Sequence, residues 1–425
     1  MKKTLNKNYK YRIYPTPEQE MLLNEYMRTL RFIWNWGHAE RLKIYDQNKQ
    51  ATDKGLKKYI SYYDQKKLMT QLQEIPNTKE NYFWNRVQCQ ARQKILESLD
   101  TAWNKCFKKL GGQPRFKSIR DDISIYIPAA TVKYNLNETN IRFDGPSYKR
   151  LGNLKIVMDR TISGTIKSWT IKKDLNEWYA VACITSEVDI PVNTKPFVGI
   201  DLGVKLFVAD SNGRTITNPN FGKQNEARVK KLSKDLSRKA KGSKNKEKAR
   251  IKLAKLQRRV ARQREVFVNT QSKYYADNYS KVVVEDLKIN NMSKSAKGTT
   301  EKPGKNVKAK SGLNKSILDC GWGAFKSTLK YKLEDNGGEF IEVNPRNTSR
   351  ECSKCGHIAA ENRKTQEQFI CVKCGYEKNA DINAAQNILT RANEEANIKA
   401  AKEKTRVKRN ITRKKKNKDL ELENI

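Results

Sequence analysis

Two hydrophobic periods alternate along this chain, and the points where one gives way to the other divide it. Lys7-Asn-Tyr-Lys-Tyr-Arg-Ile-Tyr14 alternates apolar and polar positions, the two-residue period of a half-buried strand. Pro15-Thr16-Pro17-Glu18 interrupts it, with Thr16 placed to cap a helix whose first residue is Pro17. Leu22, Leu23, Tyr26, Leu30, Ile33 and Trp34 follow at helical spacing. Helical patterning persists with breaks to Leu110, including Lys66 to Leu72 and Asn85 to Phe107, and Gly111-Gly112-Gln113-Pro114 ends it. From Arg115 to about Val192 the period changes again. Short β-branched and aromatic runs (Ile123–Ile127, Leu154–Val157, Trp178–Ile184) separated by Asn, Asp and Gly predict an antiparallel sheet or small barrel. The pattern therefore predicts one β domain, residues 1–15 and 115–195, with a helical lobe, 16–114, grown out of it.

At Lys195-Pro196 the character shifts. Phe197-Val-Gly-Ile-Asp-Leu-Gly-Val204 is a short apolar run carrying an acid, and Val282-Val-Val-Glu-Asp-Leu287 is a second. Between them, Glu226 to about Val266 is a strongly basic helical stretch broken at Gly242, which predicts a helical hairpin. Ser293 to Ser311 is rich in Lys, Ser and Gly and is expected to be a mobile loop. Phe325–Leu333 reads as a helix, Gly338–Val343 as a strand and Ile382–Leu389 as a helix. A charged tail, 396–425, is expected to be disordered. The whole is an α+β multidomain chain.

Charge narrows the partners. The 425 residues, enough for two to four domains, carry 87 Lys+Arg against 46 Asp+Glu, a net charge of +41. With a sequence pI of about 9.9, this is the footprint of a nucleic-acid binder. A membrane surface is the competing partner, but no apolar run approaches the roughly 18–20 residues of a spanning helix. The N-terminus is charged yet has no apolar core of a signal peptide, so a cytoplasmic location is expected. Four of the eight cysteines (Cys89, Cys106, Cys183, Cys320) are scattered and are expected to be free, mostly buried thiols.

The other four form two Cys-x-x-Cys knuckles, Cys352/Cys355 and Cys371/Cys374, at the spacing of a four-thiolate zinc ribbon. Four thiolates leave no open coordination position, so this Zn²⁺ would be structural. The two histidines add little: His38 lies on a helical face near Trp36, and His357 sits in a knuckle turn.

Three acids carry the candidate chemistry. Asp201 lies in an apolar strand, where a lone carboxylate is costly and usually has a cation, a base or a dipole beside it. It could instead cap a strand-to-turn backbone, or belong to the phosphate-contacting strand of an actin-like ATPase. Glu285 shares a strand face with Val283, with Asp286 on the other face; alternatively the strand simply ends and both acids reach water. Asp381 reads by itself as the N-cap of the Ile382–Leu389 helix, where Asn383, Ala384 and Ala385 keep the helix face small enough for close approach of another element. A strand acid, a second strand acid downstream and a helix acid near the C-terminus together have the layout of an RNase H-like nuclease. Such a site needs several carboxylates because two Mg²⁺ ions about 3.5–4 Å apart are held over one phosphate.

With these residues assembled, residues 6–392 resemble the TnpB (OrfB) family of transposon-encoded RNA-guided nucleases, relatives of type V CRISPR effectors. The resemblance rests on Tyr9-Lys-Tyr-Arg-Ile-Tyr-Pro15, Pro114-Arg-Phe-Lys-Ser118, Gly199-Ile-Asp-Leu-Gly-Val-Lys205, Val284-Glu-Asp-Leu287 and Ser311 to Trp322. Pro345-Arg-Asn-Thr-Ser349, both knuckles and Ala380-Asp-Ile-Asn-Ala-Ala385 complete it. The departures are small: Asn347, where the family more often has another residue, and a longer basic tail.

The resemblance implies a β-barrel-like wedge domain with a helical recognition lobe. It further implies a RuvC-type RNase H-like nuclease domain (196–345 and 380–395) with an inserted zinc ribbon (346–379). Asp201, Glu285 and Asp381 would hold two Mg²⁺ or Mn²⁺ ions; Cys352, Cys355, Cys371 and Cys374 would hold Zn²⁺; and a lid would lie between Asp286 and Ser311. The implied activity is RNA-guided, metal-dependent DNA cleavage beside a short flanking motif. Guide RNA and target DNA would be held in a basic channel, with the Arg228 to Arg264 helices and Arg115/Lys117 as candidates. The alternatives are an RNA-guided DNA-binding repressor that does not cut, a basic zinc-ribbon scaffold for RNA, or a compact CRISPR-associated effector.

Overall fold

The computed structural model describes residues 2–50, 58–74, 87–121, 123–134, 139–143 and 151–394. The predicted tail, 396–425, and the first two residues of the Asn85 to Phe107 stretch lie outside the described residues. The chain separates into two compact units, Lys2–Asp189 and the chain from Ile190 onward.

The first unit is built on a seven-stranded antiparallel sheet. Its strands are β1 (Lys2–Tyr14), β2 (Ile125–Pro128), β3 (Val132–Tyr134), β4 (Asn140–Phe143), β5 (Asn153–Val157), β6 (Thr165–Asp174) and β7 (Glu177–Asp189), in the order β2-β6-β7-β1-β5-β4-β3. Strand β1 starts earlier than the alternation predicts, because β7 pairs with it all the way from Ile13↔Trp178 to Lys2↔Asp189. Among the described residues three helices interrupt the sheet: α1 (Pro17–Gln50), α2 (Tyr62–Glu74) and α3 (Cys89–Phe107). Helix α1 opens on a reciprocal cap in which Thr16 Oγ1 accepts from Gln19 N and Gln19 Oε1 accepts from Thr16 N. Its buried positions, Leu23, Tyr26, Met27, Leu30, Ile33 and Gly37, recur every three or four residues and pack with α3 and the sheet in one core. His38 is buried against Trp103 and Phe116.

The second unit holds a five-stranded sheet of β8 (Phe197–Asp201), β9 (Leu206–Asp210), β10 (Thr215–Thr217), β11 (Lys281–Glu285) and β12 (Glu339–Val343), ordered β10-β9-β8-β11-β12. β8, β11 and β12 run parallel; β9 is antiparallel to its neighbours. Alternation along the strands sorts the two faces. Val198, Ile200, Val282 and Val284 join Tyr275, Phe325, Leu329 and Leu333 in the larger core, supplied by helices α5 (Lys244–Asn278) and α8 (Trp322–Asp335). Val283 and Val343, on the opposite face, pack against Ile388 and Ala392 of a helix spanning 380–394.

The basic hairpin forms as predicted: α4 (Phe221–Arg238) and α5 are joined by a turn with Gly242 at φ +86°. The Ser293 to Ser311 segment is a loop over residues 293–306 and helical from Val307 onward. After α6 (Ile289–Met292), it folds on itself through a bridge between Gly298 and Pro303 and bonds Thr299 N→Lys302 O and Gly304 N→Lys297 O. Ser311 already lies in α7 (Val307–Cys320). The backbone crosses so closely there that a Cβ on Gly304 would lie 1.5 Å from Ala296 O, which explains the glycine content otherwise read as looseness. Of the four scattered cysteines only Cys320 is buried; Cys89, Cys106 and Cys183 are half-buried.

Candidate active site

Strand register and one helix contact bring the three acids together. Gly199 and Asp201 share the face of β8 that the 380–394 helix, α9, covers. A Cβ on Gly199 would lie 2.2 Å from Ala385 O and 2.8 Å from Leu389 N, so only glycine admits the helix at this distance. From Gly199 to Asp201 the strand rises about 6.6 Å; from Ala385 back to Asp381 the helix rises about 6 Å. The two acids are thus carried the same distance from one point of contact. On β11, Val283 pairs with Gly199 and Val284 with Ile200, and the register continued by one residue sets Glu285 beside Asp201.

The electrostatics record the convergence. Asp201 is half-buried, and its carboxyl is pushed up to about 8, first by desolvation and then by the negative charges of Glu285 and Asp381; Arg363 opposes the rise. Glu285 is buried and also raised, by desolvation, against the lowering effects of Thr348, Arg391 and Lys326. Asp381 accepts from Arg363 Nη2 at 3.1 Å.

Asp381 does not cap its helix. Asn379 does, its Oδ1 accepting from Asp381 N (3.1 Å) and Ile382 N (3.2 Å), and the helix begins at residue 380. The capping expectation is corrected, and Asp381 in the first turn is left to face Arg363 and Asp201. Asp286 turns away to pair with Lys288. A fourth acid, Asp210, is buried but lies across from Ile200 on the other face, where it accepts from Tyr275 Oη, Asn212 N and Arg214 N; it organises a turn.

Several residues that the sequence reading passed over hold the site. Thr348 Oγ1 donates to Glu285 Oε1, and Thr348 O accepts from Asn387 Nδ2 of α9 at 2.9 Å. Asn387 also donates to Glu351 O, as does Asn383, while Arg391 donates to Asn344 O and Arg346 O and pairs with Glu351. One polar face of α9 thus clasps the segment from Asn344 to Glu351. Asn347 occupies the left-handed region at φ 65°, which asparagine tolerates.

That segment leads into the cysteine cluster. Each knuckle repeats one geometry: Cys352 N bonds His357 O and Gly356 N bonds Cys352 O, just as Cys371 N bonds Tyr376 O and Gly375 N bonds Cys371 O, with both glycines at φ 70°. Asn362 ties the two together, donating to Arg350 O and His357 O and accepting from Val372 N. The four thiols lie within 4.8 Å of one another. Cys352 and Cys374 are 3.7 Å apart and Cys355 and Cys371 3.6 Å. Tetrahedral Zn–S bonds of about 2.3 Å require about 3.8 Å between sulfurs, so the cluster is compatible with zinc. Among the described residues it is the one such group; Asp201, Glu285 and Asp381 are coupled through charge at longer range. Phe369 and Ala380 are buried with Cys352 and Cys371, which seats the cluster on the first residue of α9.

The basic helices carry different kinds of cation. No residue of α4 is buried. Arg264, by contrast, pairs with Asp319, whose carboxylate also accepts from Gly222 N and Lys223 N at the start of α4. Arg264 thus pins the hairpin to α7. In the first unit, Arg115 pairs with Asp121, and Lys117 lies over the Trp34 ring.

Comparison with known proteins settles the family. InsQ of Escherichia coli, whose name describes an RNA-guided DNA endonuclease, is 34% identical over 90% of this chain and 91% of its own length. This chain belongs to the TnpB (OrfB) family. The OrfB_IS605 model, described as "Probable transposase", matches residues 181–296, and a Cas12f1-like TNB domain model matches 322–388. A relative from Streptomyces pristinaespiralis, also named for RNA-guided DNA endonuclease activity, is 28% identical over 92% of this chain and 90% of its own. In fold, the chain is similar to the protein in a Cas12f1–sgRNA–target DNA complex, with a TM-score of 0.52 at 16% identity, covering 91% of this chain and 98% of that one. A family model called a helix-turn-helix domain matches residues 1–50, where this TnpB-family chain has a strand followed by one 34-residue helix.

Proposed function

We propose that this chain is a transposon-borne, RNA-guided DNA endonuclease whose phosphodiester hydrolysis depends on divalent metal at Asp201, Glu285 and Asp381. The observation that carries this reading is the convergence on Asp201 of Glu285, through the β8–β11 register, and Asp381, through the Gly199–Ala385 contact, whose charges together with burial lift the Asp201 carboxyl to about 8. The relatives named as RNA-guided DNA endonucleases support it. The strand order β10-β9-β8-β11-β12, with its three parallel strands, supports an RNase H-like, RuvC-type domain. Hard carboxylate oxygens suit Mg²⁺ or Mn²⁺, which when bound would supply an activated water and neutralise charge on the leaving 3′ oxygen.

The chain's own residues do the rest. Thr348 fixes Glu285; Gly199 and Asn379 set the position of Asp381; Arg363 offsets part of the carboxylate charge. The four cysteines would hold structural zinc beside this cluster. The first unit, in this reading, supplies the wedge domain and recognition lobe, and α4 and α5 line a basic channel for guide RNA and target DNA.

The test is plasmid cleavage by the protein purified with its own RNA. Cutting is expected to disappear with EDTA and in Asp201→Ala while target binding remains; undiminished cutting by Asp201→Ala overturns the assignment.

A further inference from the structure

The first unit contains a cavity of about 440 Å³ between the end of α1, the end of α3 and residues 58–60, well away in sequence from the acids. Three aromatic rings meet in it: Tyr45 and Trp103 at 5.5 Å, Trp103 and Phe107 at 5.4 Å, and Tyr45 and Phe107 at 6.3 Å between centroids. Tyr59, 82% exposed, and Phe107, 60% exposed, flank its mouth. Its walls are fixed before any ligand arrives. Asn48 grips the backbone of Lys58 from both sides, accepting from N at 2.9 Å and donating to O at 2.6 Å. On the floor, Arg41 is neutralised by Asp100 and donates to Gln65. Lys58 and Lys49 line the rim; Lys49 lies 4.7 Å from the Tyr45 ring centroid and 3.7 Å from Asp46 Oδ1, an exposed pair that a phosphate can displace. Trp103 is 1% exposed, and its indole N–H has no acceptor among the described residues.

We infer that this cavity seats one unstacked nucleobase. A base offers the flat π-face that Tyr45, Tyr59 and Phe107 stack on and the ring-nitrogen or carbonyl acceptor that the buried indole N–H lacks; its flanking phosphate matches Lys49 and Lys58. An aliphatic or acidic peptide would satisfy only part of this set. The inference rests on the nuclease reading only for the supply of single-stranded nucleic acid, which comes either from unpaired guide RNA or from single-stranded target DNA.

The experiment uses the full-length chain with two decamers, one RNA carrying 4-thiouridine and one DNA carrying 4-thiothymidine. Photocrosslinks are expected on peptides containing Tyr45, Tyr59 or Phe107, and the arm that crosslinks identifies the source. Tyr59 is 82% exposed, so thermal unfolding of Tyr59→Ala should match wild type; Phe107→Ala also loses its ring contact with Trp103, so its binding is read below its own unfolding transition. Each is expected to weaken decamer binding by about 5- to 150-fold at fixed salt. Lys58→Ala, which keeps the backbone bonds to Asn48, should lower the salt slope by about 1.

Unchanged affinity in both aromatic variants overturns the inference, as does a change in oligomeric mass at unchanged affinity, which would give the face to a second copy. The two readings fail separately. Wild-type protein that crosslinks but does not cut loses the nuclease reading alone; variants that cut and bind like wild type remove the nucleobase cavity alone.

Discussion

Gly199→Ala is the smallest change that should part the acids. The added Cβ would lie 2.2 Å from Ala385 O, 2.8 Å from Leu389 N and 2.9 Å from Leu389 Cβ. An ordinary contact is about 3.4 Å, so α9 must withdraw from β8 by about 1 Å, carrying Asp381 with it. Overpacking of this kind costs about 1–3 kcal/mol, or roughly 2–12 °C in Tm for a domain of this size. The effect on chemistry should be larger in proportion, because a misplacement of about 1 Å costs on the order of 100-fold in rate. The assay pairs thermal unfolding with plasmid cleavage across a Mg²⁺ titration. The variant should be folded, slow, and half-maximal only at raised Mg²⁺. Gly312→Ala is the control: among the described residues, nothing beyond its chain neighbours and its own helical turn lies within 4 Å of the added Cβ, and alanine favours the α7 helix. Ala385→Gly should not rescue Gly199→Ala, since the obstruction is backbone. If Gly199→Ala melts and cuts like wild type, the glycine does not set the position of Asp381.

Three further outcomes follow from the same geometry. Asp201's carboxyl, raised from 3.8 to about 8, keeps a proton in the folded chain that the unfolded chain has released. Its stabilising contribution is therefore full below pH 3.8 and lost as pH rises to about 8; Tm of metal-free protein should fall across that window, less steeply with Mg²⁺, and Asp201→Asn should remove this component. Thr348→Val deletes the hydroxyl that lowers Glu285 and should cost about 1.5–3 kcal/mol of stability, the scale for a bond to a charged group, and cutting should slow as Glu285 loses its anchor. Cleavage pH profiles should shift upward in Thr348→Val and stay put in Thr348→Ser. Cys371→Ser should lower soluble yield and Tm more than it changes cutting per folded molecule, with bound zinc read by mass spectrometry.

What was legible in the sequence was local. Cys-x-x-Cys-Gly announces a knuckle because the turn needs two thiols on one side and a left-handed residue after them, and both Gly356 and Gly375 take φ 70°. Strand parity sufficed to put Glu285 with Val283 and away from Asp286. The cap of α9 was not legible. Asn379 and Asp381 are both good N-cap residues, and Asn379 takes the role because Ala380, the first helical residue, is buried with Phe369 and the cysteines. Nor were the roles of Thr348 and Arg363: their contacts span 63 and 18 residues, and Pro345–Ser349 carries the family resemblance without assigning Thr348 a partner, while nothing in the insert distinguishes Arg363 from a surface residue.

The same contacts explain why the ribbon stands where it does. Two independent attachments fix Asp381. From the sheet side, Gly199 sets the distance of α9. From the ribbon side, Asn362 ties the knuckles together, its neighbour Arg363 holds the Asp381 carboxylate, and Asn383 donates to Glu351 O and accepts from Ser353 N. A helix end held only from the sheet would be free to fray in its first turn, where Asp381 lies. The cluster ties that turn to two knuckles whose geometry depends on four sulfurs brought within 4.8 Å. Structural zinc, with no open position and no part in the chemistry, would then act on the acidic site through the first turn of one helix. Asp381 is the acid that depends most on both attachments.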